Sequence, residues 1–179
     1  GQPITEAIAE ALNEYDKLKI RCQEFSDKLY ADAAEVGGEK YAELLSLAYR
    51  QVIAAHKLVL DENGDILYIS KECNSNGCAA TVDVSYPSTP MFLIYNPELV
   101  KGMMRPVYKF AQSDAWKFDF APHDLGQYPL LNGQVYGNNA LHMQMPVEEC
   151  GNMLIMEAAI ALASGNMSFA NEHFDLLET

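Results

Sequence analysis

Residues 3–30 read PITEAIAEALNEYDKLKIRCQEFSDKLY, and this stretch decides the fold class. Its apolar side chains recur at intervals of three and four residues, which places them on one face of an α-helix. They are Ile4, Ile8, Leu12, Tyr15, Leu18, Cys22, Phe25 and Leu29. Pro3 at the start and Gly37–Gly38 after the end are typical of helix termini. The stretch therefore predicts one long amphipathic helix.

The same period returns in residues 41–56, which predicts a second helix and, with the first, a helical hairpin. Further helices are predicted over residues 90–96, 97–113, 146–164 and 168–177, with Pro106 expected to bend the second of these. Residues 58–69, LVLDENGDILYI, predict a small β-hairpin that turns at Asn63–Gly64. Residues 70–89 and 114–146 predict long loops. The fold class is all-α, with helical hairpins arranged as a solenoid or toroid.

Length and charge bound the function. The 179 residues predict a single domain or a segment of one. Twelve Lys and Arg against 25 Asp and Glu give a net charge of −13, which disfavours nucleic-acid binding. No run of 18 apolar residues exists, so we expect no membrane insertion, and the first twenty residues lack the layout of a signal peptide. Gly1 is interpreted as a possible remnant of recombinant expression.

The cysteines and histidines do not predict a metal site or a disulfide framework. Cys73 and Cys78 are separated by four residues in a polar loop, where a disulfide and two reduced thiols are both open. The four histidines do not cluster with the cysteines at ligand spacing, so no metal is expected. The motifs of serine hydrolases, P-loop and Rossmann nucleotide-binding proteins and zinc proteases are absent, and no cofactor is expected.

Five residues are candidates for catalysis. Glu148 and Glu149 begin a predicted helix, where one carboxylate could face a pit or both could simply favour the helix dipole. His123 and Asp124 are adjacent, so they could form an acid–base pair or merely hold a loop. Asp83 lies in TVDVSY, residues 81–86, whose alternation predicts a strand with Asp83 opposite its valines, where its carboxylate could face the pit. A solvated strand residue is the alternative for Asp83.

Amides, aromatic rings and a further carboxylate are candidates for substrate binding, because loops at one rim of a helical ring converge on a pit that suits small polar molecules or sugars. These candidates are Asn76, Tyr86, Trp116, Asp119, Tyr128 and Asn152. Trp116, the single tryptophan, could instead be a core residue.

Four strings carry a resemblance to a known family. They are SNGCAATVDVSYPSTPMFLIYNPELVKGMMRPV, WKFDFAPHDLGQYP, NGQVYG and MPVEECGNM. Together they resemble the six-helical-hairpin domain of the glutaminase A family, over most of the chain from the helix ending near His56 onward. The resemblance implies a six-hairpin (α/α) toroid within a larger secreted, periplasmic or cell-envelope protein that has other domains. It also implies L-glutamine amidohydrolase activity.

The chain supplies only part of such a ring, because about six helices are predicted and a complete ring needs twelve. We therefore expect this chain alone to be inactive and to expose an apolar patch that favours self-association. Carboxylate acid–base hydrolysis of a glutamine-like amide is the first functional hypothesis. A carbohydrate-active, glycosidase-like role and a non-catalytic module that binds glycans or neighbouring domains remain open alternatives.

Overall fold

The computed structural model describes residues 3–179, so the interpretation of Gly1 lies outside the described residues. The described chain is mainly α-helical and holds one two-stranded antiparallel sheet, which confirms the predicted all-α class with a small β-hairpin. It divides into two compact units, one ending at Ile53 and the other covering Ala54–Thr179. The assignment of residues 1–179 to one domain or domain segment stays a prediction.

Helices α1 (Ile4–Gly37) and α2 (Glu39–Ala55) confirm the first two predicted helices. Gly38, with φ of 80°, separates them. The rings of Phe25 and Tyr49 lie 5.2 Å apart, centroid to centroid. Because these residues are almost equally distant from the glycine pair, their contact shows that the two helices fold back as an antiparallel hairpin.

Much of the predicted apolar face of α1 is exposed to solvent. Ile4 is 76% exposed and Leu12 is 71% exposed, whereas Leu29 and Ala33 are buried. Contiguous exposed apolar surface marks contact regions in soluble proteins. The exposure agrees with the expected apolar patch, and self-association through it stays a prediction.

Strands β1 (His56–Leu60) and β2 (Ile66–Ser70) form the predicted hairpin, with Leu58 opposite Tyr68. Gly64 has φ of 86°, which suits a residue without a Cβ at this turn. Asp61 stabilises the turn through its Oδ1, which accepts from the backbone N–H groups of Asn63 and Asp65 at 2.8 and 3.0 Å.

The predicted strand over residues 81–86 is wrong. Val82–Ser85 is a short helix, α3, in which the Ser85 N–H bonds to the Thr81 carbonyl at 2.9 Å. Six alternating residues were too few to indicate a strand, because the backbone groups of this segment find their partners within a helical turn and in another loop. The segment continues through a 3-10 turn at Tyr86–Ser88 into the next helix.

Helices α4 (Thr89–Tyr95), α5 (Pro97–Ala111) and α6 (Pro146–Ser164) confirm the prediction, and the last predicted helix is divided into α7 (Ser168–Glu172) and α8 (Phe174–Glu178). Helix α5 packs against β2, α4 and α6. The contact with β2 is close at Gly102, where an added Cβ would lie 3.0 Å from Ile66 Cγ2. The core of this unit includes Phe92, Val100, Met104, Met156 and Ile160.

The structure contains no disulfide bond among the described residues. Cys22, Cys73, Cys78 and Cys150 are all free thiols, so Cys73 and Cys78 are not bridged in this structure. Within residues 3–179, no helix combines the length and the apolar composition that a membrane crossing requires.

Candidate functional site

Three predicted catalytic residues from three separate parts of the sequence meet in the second unit. Asp83 lies on α3, His123 on the long loop between α5 and α6, and Glu149 in the first turns of α6. Each side chain offers one oxygen or nitrogen atom, and these three atoms lie within 4.8 Å of one another. The distance from His123 Nε2 to Asp83 Oδ1 is 3.7 Å. We refer to Asp83, His123 and Glu149 as the acidic cluster.

Backbone hydrogen bonds between the two long loops hold the cluster together. The Ala79 N–H donates to the Gly126 carbonyl at 2.9 Å, and the Leu125 N–H donates to the Ala79 carbonyl at 3.1 Å. The Val82 N–H donates to the His123 carbonyl at 2.9 Å, directly before Asp83. These bonds satisfy loop backbone groups that would otherwise be buried without partners. They place Asp83 beside His123 although the residues are far apart in sequence.

Asp124 orients the imidazole of His123. Its Oδ2 lies 2.9 Å from His123 Nδ1, while its Oδ1 accepts from the Gly126 N–H at 2.8 Å. A carboxylate oxygen accepts hydrogen bonds, so we assign a proton to Nδ1, and Nε2 then faces Asp83 Oδ1 at 3.7 Å. The hydrogen bond to Asp124 raises the pKa of His123, with smaller contributions from the charges of Asp83 and Glu149.

Glu149 is the most deeply buried member of the cluster, with no exposed surface. Burial raises the pKa of its carboxyl group to about 7, and the nearby charge of Asp83 acts in the same direction. Its Oε2 accepts from Asn152 Nδ2 at 3.3 Å, but its Oε1 is buried without a hydrogen-bond partner. Asp83 Oδ1 is likewise buried without a hydrogen-bond partner. Burial therefore outweighs the preference of a helix N-terminus for negative charge.

Two glutamines that were not predicted support the loop of His123. Gln144 Oε1 accepts from the His123 backbone N–H at 3.3 Å, and Gln134 Nε2 donates to the Asp124 carbonyl at 3.2 Å. The two amides are also hydrogen-bonded to each other. Loop glutamines carry no periodic signal, so the sequence offered no way to find this pair.

Other predicted site residues lie apart from the acidic cluster or have structural contacts. Glu148 is exposed, although it is adjacent to Glu149. Trp116 is buried among Phe110, Phe118 and Phe120, and its indole N–H donates to the Phe120 carbonyl at 2.8 Å. These contacts agree with the alternative that Trp116 is a core residue.

The remaining predicted binding residues differ in position. Asn76 Oδ1 accepts from the Cys78 N–H at 2.8 Å, which shapes the first loop. Tyr128 is partly exposed, with Lys71 Nζ 5.9 Å from its ring centroid. Tyr86 is half-buried in the 3-10 turn after α3. Their roles in substrate binding stay predictions.

Asp119 lines a cavity of about 400 Å³. Its wall also includes Pro122 and Cys150, which directly precede His123 and follow Glu149 in sequence. Most of the other lining side chains are apolar and come from α5, α6 and the C-terminal residues. Two residues that line this cavity are therefore sequence neighbours of the acidic cluster, but the cavity wall is mainly apolar.

A second buried glutamate, Glu157, was also not predicted. It lies on α6, is 3% exposed, and its Oε1 accepts from the Tyr108 hydroxyl at 2.8 Å. His173 Nδ1 lies 3.7 Å from the same oxygen, while Oε2 is buried without a hydrogen-bond partner. Burial raises the pKa of Glu157, opposed by the Tyr108 hydrogen bond and the positive charges of His173 and Lys101.

We expect the unfolding free energy of the wild-type protein to fall as pH rises from the usual pKa of glutamate toward neutrality. The substitution Glu157→Gln should make this fall smaller. The raised pKa means that the folded state keeps its proton after the unfolded chain has released it, so the free energy of unfolding falls as pH rises. Glutamine removes this term and can still accept from Tyr108. Urea unfolding followed by circular dichroism at pH 5 and pH 7.5 measures the effect.

The control for this prediction is Glu14→Gln, which removes an exposed carboxylate from α1. Its unfolding free energies should follow those of the wild type at both pH values. A Glu157→Gln variant whose difference from the wild type is the same at both pH values would contradict the assigned origin of the effect. The other charged or titratable groups that act on Glu157 are present in the wild type and in the Glu157→Gln variant. They are Tyr108, His173, Lys101 and Glu172.

Comparisons with known proteins agree with the geometry of the fold. The family model described as the glutaminase A six helical-hairpin domain matches residues 38–179. Glutaminase A of Aspergillus oryzae is 33% identical over 166 residues, which cover 92% of this chain and 24% of that protein. A protein of Arthroderma benhamiae named "Probable glutaminase" is 36% identical over 146 residues, which cover 81% of this chain and 16% of that protein.

The chain therefore spans about a quarter or less of the length of these relatives. No solved structure matches it. The family match covers the second helix, the β-hairpin, both long loops and every residue of the acidic cluster. The chain belongs to the glutaminase A six helical-hairpin domain family.

Proposed function

We propose that this chain provides the catalytic centre of an amidohydrolase that converts a glutamine-like side-chain amide to a carboxylate and ammonia. The convergence of Asp83, His123 and Glu149 within 4.8 Å carries the proposal. The names of the two relatives, glutaminase A and "Probable glutaminase", support the choice of substrate class.

Amide hydrolysis requires two proton transfers. A water molecule must lose a proton as it attacks the carbonyl carbon, and the departing nitrogen must gain one to leave as ammonia. Carboxylates and an imidazole are the side chains that most often carry such protons. The acidic cluster supplies these groups, and Asp124 directs the reactive nitrogen of His123 toward them. In this proposal, Asp83, His123 and Glu149 contact the attacking water, and Asp124 is a positioning residue.

Glycoside hydrolysis is the second candidate, because two carboxylates lie close together in the acidic cluster. One oxygen of Asp83 and one of Glu149 are at most 4.8 Å apart, which is closer to the carboxyl separation of about 5–5.5 Å in retaining glycosidases than to that of inverting ones. An inverting enzyme needs a larger gap of about 6.5–9.5 Å for a water molecule. If the substrate is a sugar, the geometry therefore supports retention of configuration.

Ammonia release distinguishes the two candidates. The experiment uses a protein that carries this chain within a polypeptide as long as the A. oryzae relative, together with the 179-residue chain alone. We expect the longer protein to release ammonia from glutamine and the chain alone to show none, because a partial ring leaves the substrate pit incomplete. Cleavage of aryl glycosides without ammonia release would favour the second candidate. Neither activity in the longer protein would favour a binding module.

Two further properties belong to the same proposal. We propose that the protein acts outside the cytoplasm, in the envelope or the medium, because of the family resemblance. We also propose that other domains of the same polypeptide contact this chain, since its relatives are several times longer.

A further inference from the structure

We infer that Asp83, His123 and Glu149 bind one divalent transition-metal ion of the zinc or manganese class. The three donor atoms already lie within 4.8 Å of one another, and the Asp83 Oδ1 to His123 Nε2 distance is 3.7 Å. Two ligands of a tetrahedral ion, each at about 2.1 Å, are roughly 3.4 Å apart. A contraction of a few tenths of an ångström would therefore bring this pair to bonding geometry.

Two buried oxygens point to a missing positive partner. Asp83 Oδ1 and Glu149 Oε1 are both buried without a hydrogen-bond partner, and Glu149 has no exposed surface. Buried polar atoms without partners are rare, and each one requires an explanation such as a bound ion. Within residues 3–179, no lysine or arginine side chain forms an ion pair with Asp83, Glu149 or Asp124. A cation would neutralise this excess of negative charge.

The surroundings of His123 resemble the second layer of a metal site. A histidine that binds a metal usually donates its other ring N–H to a carboxylate or carbonyl, which fixes the ring and the tautomer. Asp124 accepts from His123 Nδ1 at 2.9 Å and is itself held by the Gly126 N–H at 2.8 Å. Nε2 is thus left facing Asp83 Oδ1 at 3.7 Å, and one oxygen of Glu149 lies within 4.8 Å of it.

The donor set selects the type of ion. Magnesium and calcium prefer oxygen ligands, whereas an imidazole nitrogen with carboxylates suits zinc, manganese and iron. Three protein ligands leave a tetrahedral ion one position open for water. The sequence-based expectation of no metal compared only the spacing of cysteines and histidines, whereas these ligands are brought together from residues 83, 123 and 149 by the fold.

The catalytic consequence of the ion rests on the proposed function, whereas its binding does not. A bound zinc ion lowers the pKa of its water to about 7 and so supplies hydroxide near neutral pH. The carboxylates would then act as ligands, and the ion would replace them in activating the water. If removal of the ion leaves the rate of amide hydrolysis unchanged, the side chains alone carry out the proton transfers.

Zinc binding to the chelator-treated 179-residue chain tests the inference. Calorimetric titration with zinc chloride is expected to give one site per chain, and magnesium chloride is expected to give none. Every protein used in the titrations also carries Cys22→Ser and Cys73→Ser, because both thiols are exposed and could bind zinc on their own. Circular dichroism of each variant checks that it is folded.

Matched variants locate the site. Asp83→Asn, His123→Gln and Glu149→Gln should each weaken zinc binding by more than about a hundredfold, and Asp124→Asn by about ten- to a hundredfold. Glu148→Gln removes the same charge one residue from the cluster and should change the affinity little. Equal weakening by Glu148→Gln and Glu149→Gln would show that zinc responds only to local charge, and this would overturn the assigned ligands.

The remaining outcomes separate the inference from the proposed function. If the chain binds no zinc or manganese while the longer protein hydrolyses glutamine after chelation, the metal site is wrong and the proposed function stands. If zinc binds to the chain with the expected variant pattern and the longer protein hydrolyses no amide, the metal site stands and the proposed function is wrong.

Discussion

Amide hydrolysis by the protein that carries this chain is expected to fall by about 10²- to 10⁴-fold when Glu149 is replaced by glutamine or Asp83 by asparagine. Each substitution keeps the size of the side chain but removes a group that contacts the attacking water in the proposed mechanism. Glu149→Gln should also remain folded, because it replaces a buried carboxyl group, one oxygen of which has no hydrogen-bond partner, by a neutral amide. The measurement is the rate of ammonia release from glutamine at saturating and limiting concentrations.

Asp114→Asn is the control for these activity measurements, since Asp114 is an exposed loop residue outside the site. It should retain the rate of the wild-type protein. Folded Glu149→Gln and Asp83→Asn proteins that keep their rates within a factor of about three would contradict the assignment, because that factor lies well below the smallest expected loss.

Gly126→Ala is expected to cost about 3 kcal/mol or more of unfolding free energy, from backbone strain together with a steric clash. Gly126 has φ of 99°, which side chains disfavour, and an added Cβ would lie 2.1 Å from the Gly133 carbonyl oxygen. The same residue donates to Asp124 and accepts from Ala79. Its displacement should therefore also weaken zinc binding. Urea unfolding and zinc titration measure the two effects.

Gly77→Ala is the matched control for Gly126→Ala. Gly77 also has a positive φ, of 77°, but nothing lies within 4 Å of the position of an added Cβ. It should lose only about 1–2 kcal/mol, the cost of the left-handed conformation. Equal losses at the two positions would show that the clash with Gly133 is relieved and that the loop of Asp124 is less rigid than the structure indicates.

Local patterns were sufficient for the regular elements. The long apolar repeats predicted α1, α2, α5 and α6, and Asn63–Gly64 predicted the turn of the hairpin. The six-residue alternation around Asp83 failed, because its backbone partners include the His123 carbonyl forty residues away. Contacts between the two long loops are decided by tertiary structure, and no periodic pattern reports them.

The candidate site was predictable in part. The adjacent pair His123 and Asp124 was visible in the sequence, but their contact with Asp83 and Glu149 was not. A usable signal did exist for Glu149, because it precedes Met153 by four residues and therefore shares the buried face of α6. Glu148, one position earlier, is turned to solvent.

The same signal would have found Glu157. It lies four residues after Met153 and three before Ile160, so a charged residue stands on the apolar face of α6. Its partners could not be predicted, because Tyr108 is 49 residues away on another helix and His173 lies between α7 and α8. A glutamate on a buried helix face is a strong reason to search for a partner, but the sequence does not say which one.

Helix α6 carries two buried glutamates, each with an oxygen that has no hydrogen-bond partner. A neutral residue at Glu149 would fold more favourably, since a buried carboxyl group with an unpartnered oxygen is costly. At Glu157 the replacement must still accept from the Tyr108 hydroxyl, because an apolar residue would leave that buried donor unsatisfied. Laboratory evolution of the chain for heat resistance, with no demand on activity, should therefore replace Glu149 by Gln, Met or Leu and Glu157 by Gln, which would show that stability and function oppose each other at Glu149.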